Sequence, residues 1–152
     1  MAEKREQAKG GSAETAGRNE INRIIYESRY YQQQAETMQQ QLLALDSTLA
    51  EVNATVETLK NMQRVKERET MVPIGSGAYL SAVLKNEDKA IINIGAGVLA
   101  EKSIPDAVEF LSEKARNTEQ VKMRLQNVLK DVVNRVDSLE KEAQAIASKM
   151  QG

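Results

Sequence analysis

Apolar residues recur at alternating intervals of three and four along the first part of the chain, and this periodicity constrains the fold more than any other feature. The repeat continues for more than five heptads, and no Gly or Pro interrupts it. A repeat sustained this long is typical of a coiled coil rather than of an ordinary amphipathic helix. It predicts a helix over about residues 19–68 whose seam is Ile21, Ile24, Ser28, Tyr31, Ala35, Met38, Leu42, Leu45, Leu49, Val52, Val56 and Leu59.

A second repeat of the same kind occupies the last third of the chain. Ser103 can cap a helix, Pro105 is tolerated in a first turn, and Asp106 follows three residues after the cap. These signals predict a helix over 104–150, which matches the first in length and can pair with it antiparallel. The 3/4 spacing of its apolar positions is broken near Thr118 and Val132. These positions are Val108, Leu111, Ala115, Thr118, Val121, Leu125, Val128, Val132, Val136, Leu139, Ala143, Ile146 and Met150.

Between the two repeats the apolar period shortens to two, which is typical of β-strands. We expect strands at about 71–74, 78–84, 90–95 and 97–102, separated by glycine-marked turns, so that residues 70–103 form two hairpins. The fold class is therefore mainly α, a long antiparallel two-helix coiled coil with two β-hairpins inserted between the helices. Two isolated hairpins with apolar residues on both faces are marginal in water. We therefore predict that they assemble with other chains through Val72, Tyr79, Leu80, Val83, Leu84, Ile91, Ile92, Ile94 and Val98.

Composition restricts the possible functions. The chain has 152 residues and a net charge of −1, so no basic field favours nucleic acid as a partner. Residues 1–18 are rich in Gly, Ala, Ser and charge, which predicts a flexible N-terminal extension before a domain at 19–152. Neither a signal peptide nor a membrane span is visible, so we expect a cytoplasmic protein without a membrane partner.

Catalysis is not indicated by any motif. The chain contains no His and no Cys, which removes the commonest base and the commonest metal ligands, so no enzyme activity, metal or cofactor is expected. Residues 95–100, Gly-Ala-Gly-Val-Leu-Ala, match the dinucleotide-binding fingerprint. That fingerprint requires a helix to begin within it and a second parallel strand to follow. Neither is predicted, so the glycines indicate a turn or kink between strands.

Apolar residues that the seams do not require are concentrated near the two chain ends. Three of the four Tyr lie there, although helix ends fray and contribute little to stability. One interpretation is that these residues close the end of the coiled coil. The other is that the tip forms an adaptable contact surface for partner proteins, made of Ile21, Ile24, Ile25, Tyr26, Tyr30, Tyr31, Leu139, Ile146, Ala147 and Met150.

The segments from Val72 to Tyr79 and from Ala90 to Val98, followed by Glu101-Lys102, resemble the linker of alpha-class prefoldin subunits. The two matched heptad arms extend the resemblance over about residues 20–150. It implies a hexamer of two alpha and four beta subunits, whose hairpins form a double β-barrel body. It also implies an ATP-independent holdase that binds non-native polypeptides at its coiled-coil tips and passes them to a group II chaperonin. The alternative is a coiled-coil scaffold or tether that docks one defined partner.

Overall fold

The computed structural model contains two long helices with four strands between them. It describes residues 2–62, 67–85 and 88–151, with side chains from residue 15 onward except at 85, 150 and 151. The predicted fold class is confirmed, because the strands form two separate antiparallel hairpins, β1 with β2 and β3 with β4. The elements are α1 (Ala2–Met62), β1 (Glu67–Gly75), β2 (Ala78–Lys85), β3 (Lys89–Gly95), β4 (Val98–Ser103) and α2 (Ile104–Gln151).

The bounds of α1 differ from the sequence-based expectation at both ends. The helix begins at Ala2, whereas residues 1–18 were expected to lie outside it. The Ala, Glu, Lys, Arg and Gln residues of this stretch are good helix formers, whereas Gly10, Gly11 and Gly17 each oppose the helix by about 1 kcal/mol. At the other end α1 stops at Met62, and Glu67 and Arg68 belong to β1 instead of the helix. Residues 63–66 lie outside the described residues, and the flexibility expected of residues 1–18 stays a prediction.

The start of α2 agrees with its capping signals. The Asp106 amide donates to the Ser103 hydroxyl oxygen at 3.2 Å, which satisfies one of the free donors of the first turn. The Ile104 amide donates to the Asp88 carbonyl at 2.9 Å. The helix is therefore joined to the chain segment that precedes β3.

The register of α2 corrects the interpretation of its seam. Val121 and Val128 are 51% and 46% exposed, whereas Lys122 and Leu129 are partly buried. A seam that passes through Lys122 and Leu129 keeps an unbroken 3/4 spacing, so the predicted breaks in spacing do not exist. In α1 every predicted seam position is buried or partly buried. The half-buried Lys122 is a polar residue within an apolar seam, a feature that specifies register at some cost in stability.

Packing divides the chain into two units. The hairpin unit is Leu45–Val121, and its core contains Val52 and Val56 of α1 with Leu111 of α2. The end unit is Met1–Ala44 with Lys122–Gly152. In the end unit an ion pair joins Glu27 of α1 to Arg135 of α2. Both units thus contain part of each helix.

The two hairpins have the same turn architecture. In the first hairpin Ser76 and Gly77 have φ of 48° and 78°, and in the second Ala96 and Gly97 have φ of 47° and 76°. Positive φ at both central residues is typical of the type I′ turn, which suits the strand twist of two-residue hairpins. Each turn follows a bulge, where Ile74 or Ile94 has no partner across the ladder. The segments Ile-Gly-Ser-Gly and Ile-Gly-Ala-Gly therefore form one local structure twice.

Candidate interaction surfaces

The first hairpin exposes apolar side chains on both faces. Neighbouring residues of a strand point to opposite faces, so the pair Val72 and Leu80 faces one way and the pair Pro73 and Tyr79 the other. Leu80 is 59% exposed and Tyr79 is 57% exposed. The face of Val72 and Leu80 continues to a groove between the hairpin and the last turns of α1, lined by Thr58, Asn61, Met62, Arg68, Glu69, Thr70 and Leu84.

The second hairpin covers part of α2 with one face and exposes the other. Ile92 is 8% exposed, and the ammonium group of Lys102 lies 5.9 Å from the ring centroid of Phe110 in α2. On the opposite face Ile91 is 70% exposed and Leu99 is 67% exposed. Lys89 also pairs with Glu101 at 2.6 Å across this hairpin. One apolar face of the second hairpin thus remains available to another chain.

Eight of the nine residues predicted to mediate assembly are exposed, and Ile92 is the exception. Ile92 is buried because it alternates with Ile91 and so shares the hairpin face of Lys102, which lies over Phe110 of α2. The sequence-based list also missed three exposed apolar residues of the hairpins, Met71, Ile74 and Leu99. Leu99 could have been found from strand alternation, since it lies opposite Asn93 on the face of Ile91. Ile74 could also have been found, because it precedes a Gly-x-Gly turn in the same way as Ile94, which the prediction includes.

The tip residues predicted for client binding fall into three groups in the end unit. Ile24 and Leu139 are 1% and 0% exposed, so they belong to the core and offer no surface while the helices are paired. Ile25, Tyr26 and Tyr30 are 40%, 74% and 59% exposed. The remaining described members are partly buried, and they are Ile21, Tyr31, Ile146 and Ala147. The side chain of Met150 lies outside the described residues.

Two arginines of the end unit are hydrogen-bonded to glutamates. Arg135 donates to a Glu27 carboxylate oxygen at 2.6 Å, and this hydrogen bond raises the pKa of the Arg135 guanidinium above its usual range. The pKa of Arg23 is likewise raised, mainly by its hydrogen bond to Glu20 in the same helix, with a smaller contribution from Glu142 of α2. Both arginines therefore keep their charge at any physiological pH.

The exposed surface of α1 next to these residues is nearly uncharged. Between Tyr30 and Leu45 the sequence contains a single charged residue, Glu36. The Gln34 side-chain amide donates to the Tyr30 hydroxyl oxygen at 2.8 Å, and the Tyr30 and Tyr31 rings meet edge to face with their centroids 5.6 Å apart. Both contacts lie within α1, so Tyr30 contacts its own helix while it remains 59% exposed.

The described part of the chain gives little support for a metal site, a dinucleotide site or a membrane span. No group of three His, Cys, Asp or Glu side chains there could hold a metal ion. Gly95, Ala96 and Gly97 form a hairpin turn, and the next helix begins only at Ile104, which confirms the turn predicted for the dinucleotide-like motif. Within residues 2–62, 67–85 and 88–151, neither helix has an apolar stretch long enough to cross a membrane.

Comparison with known proteins agrees with this architecture. The family described as Prefoldin subunit matches residues 31–149. The prefoldin subunit alpha of Pyrococcus horikoshii is 31% identical over 86% of this chain and 89% of its own length. That of Thermofilum pendens is 33% identical over 78% of this chain and 92% of its own length.

A solved structure shares the fold. A chain of filamentous PFD from Methanocaldococcus jannaschii, studied by cryo-EM, is 22% identical, with a TM-score of 0.67 over 80% of this chain and 98% of that chain. Two heptad helices joined by two glycine-turned hairpins, together with these relatives, show that the chain belongs to the prefoldin family of chaperone subunits, as one of its alpha subunits.

Proposed function

We propose that the chain is an ATP-independent holdase subunit that binds non-native polypeptides at its end unit and passes them to a group II chaperonin. The observation that carries this proposal is the exposure of Ile25, Tyr26 and Tyr30 beside an almost uncharged helix surface. Apolar and aromatic side chains are expensive to leave in water when they do not stabilise the fold. A surface of this kind gains free energy by covering exposed apolar segments of unfolded chains, whatever their sequence.

Assembly is the second part of the proposal. The exposed faces of both hairpins, and the unpaired edges of their two-stranded sheets, are suited to pairing with β-strands of other subunits. We propose prefoldin beta subunits as these partners, with two alpha and four beta subunits in a hexamer. In such an assembly the hairpin units hold the subunits together, and the end units remain available to bind clients.

The client-binding part is tested by replacing the three exposed tip residues with serine. Ile25→Ser, Tyr26→Ser and Tyr30→Ser together should raise the concentration needed to suppress aggregation of an unfolded protein by about a hundredfold, because each removes an apolar contact worth on the order of 1 kcal/mol. Light scattering during dilution of a denatured protein measures the effect. Leu43→Ser is the matched control, since Leu43 is 70% exposed in the same unit but is not a tip residue.

Equal suppression by the triple variant and the control would contradict the assignment of the tip. Circular dichroism should show unchanged helix content in both variants, because none of the four residues is buried. If the chain binds none of several unrelated unfolded proteins but binds one defined partner, this result would favour the alternative function, a coiled-coil tether.

A further inference from the structure

The ion pair between Glu27 and Arg135 lies beside the most deeply buried side chains of the end unit. Glu27 follows Ile24 by three residues in α1, and Arg135 precedes Leu139 by four in α2, so each charge is a helical neighbour of a buried apolar residue. We propose that this pair is an autoinhibitory clamp, which holds the helices together and withholds Ile24 and Leu139 from unfolded polypeptide. The inference rests on the proposed holdase function.

The burial pattern explains why a clamp matters to binding. Ile24 and Leu139 are the two largest side chains that are fully buried in the described residues, whereas the neighbouring Ile25, Tyr26 and Tyr30 are exposed. The exposed residues can make a first contact with a client while the helices are paired. Separation of the helices at this point adds the two buried side chains to the same surface. The clamp therefore sets how much apolar surface the end unit presents.

The ion pair is weak enough to favour the paired helices without preventing their separation. The side chains of Arg135 and Glu27 are 45% and 27% exposed, so solvent and salt screen much of their attraction. Such a pair changes the ratio of paired to separated helices by only a small factor. Local separation of two helices costs less free energy than global unfolding, so a small factor is enough to change the population of the open form. A client that binds the open form better shifts the population in the same direction.

Arg135→Gln in the full-length chain, within the assembly that it forms, tests the clamp. Two quantities are measured, the hydrogen-exchange rates of amides around Ile24 and Leu139 and the affinity for reduced and alkylated lysozyme. Both should rise about two- to fivefold, the range expected for loss of a partly exposed ion pair. Added NaCl should raise exchange in the wild type and have little further effect in the variant. Glu27→Gln should behave like Arg135→Gln.

Two controls make the result specific. Arg124→Gln makes the same change at an exposed position of the same helix and unit, and it should leave exchange and affinity unchanged. The charge-swapped double variant Glu27→Arg and Arg135→Glu should return both quantities toward wild-type values.

Exchange that stays unchanged in Arg135→Gln would overturn the clamp, and so would faster exchange with equal or weaker lysozyme binding, since the pair would then be purely structural. If wild type binds lysozyme and the variants do not differ from it, only this inference fails. If wild type does not bind unfolded protein at all, the proposed function fails with it.

Discussion

At the scale of single residues, the hairpin turns depend on backbone conformations that most amino acids avoid. Ser76 and Ala96 have φ of 48° and 47°, in the left-handed region, where a side chain crowds the following carbonyl oxygen. Gly77 and Gly97 occupy the second turn position with φ of 78° and 76°. Glycine tolerates this conformation, while alanine at 96 stores strain in the turn. The strain is local and can be removed without changing any packing contact.

We predict that Ala96→Asn stabilises the protein by about 0.5–1 kcal/mol, because Asn-Gly is the preferred pair of a type I′ turn. Gly97→Ala should destabilise it by about 1–2 kcal/mol. No atom lies within 4 Å of a Cβ added at Gly97, so this cost would be conformational rather than steric. Thermal unfolding measures both changes, and Ser76→Asn provides the equivalent change in the first hairpin. A lower melting temperature for Ala96→Asn would contradict this account of the turn.

At the scale of elements, α2 shows how a polar residue can conceal the true seam. Position 121 is valine and position 122 is lysine, so a prediction based on apolar residues places the valine in the seam. In the structure the lysine is partly buried, because only this choice keeps steps of four and three alternating from Leu111 to Leu125. Lysine can place its apolar stem in a seam and its ammonium group in solvent, so its burial costs less than its charge suggests.

Two identical substitutions distinguish the two registers. Val132→Ala should cost about 1–2.5 kcal/mol, since Val132 is 9% exposed and its removal leaves a cavity in the seam. Val128→Ala, at a residue that is 46% exposed, should change stability by no more than about 0.5 kcal/mol. Chemical denaturation followed by circular dichroism provides both values. Equal losses of stability in the two variants would support the seam through Val121 and Val128 that the apolar pattern alone predicts.

Periodicity and turn chemistry were sufficient to predict the element order and both hairpins. They could not predict which apolar residues would be free for binding. Ile24 and Ile25 are adjacent and chemically identical, yet one is 1% exposed and the other 40% exposed. Ile91 and Ile92 differ in the same way. A single-residue step reverses the face in a strand and rotates the side chain out of the seam in a helix, so site membership depends on packing that sequence pattern describes only approximately.

At the scale of the whole molecule, the hairpin unit leaves two small sheets incomplete. Each sheet has two strands, so every strand is an edge, and the exposed faces include Leu80 and Ile91. Exposed edges and apolar faces together favour association with other chains. The chain is therefore expected to form a stable, monodisperse particle only with its partner subunits.

Leu80→Glu combined with Ile91→Glu should prevent that assembly, because a carboxylate buried in an apolar interface without a partner is strongly unfavourable. Co-expression with a prefoldin beta subunit, followed by native mass spectrometry, should show a hetero-oligomer for wild type and separate subunits for the variant. Leu43→Glu introduces one such carboxylate at an exposed residue outside the hairpins and should leave the mass unchanged. Assembly of the double variant at the wild-type mass would exclude these faces as the interface.

The separation in sequence between the two helices bears on how the chain folds. Glu27 and Arg135 are 108 residues apart, whereas Val56 and Leu111 of the hairpin unit are about half as far apart along the chain. Closing the shorter loop costs less entropy, and hairpins with type I′ turns form on the microsecond scale. Once that loop is closed, each further turn of helix meets its partner nearby. Pairing is thus favoured from the hairpins toward the chain ends, so the end unit is the last part to form. Pulsed hydrogen exchange during refolding would record this order.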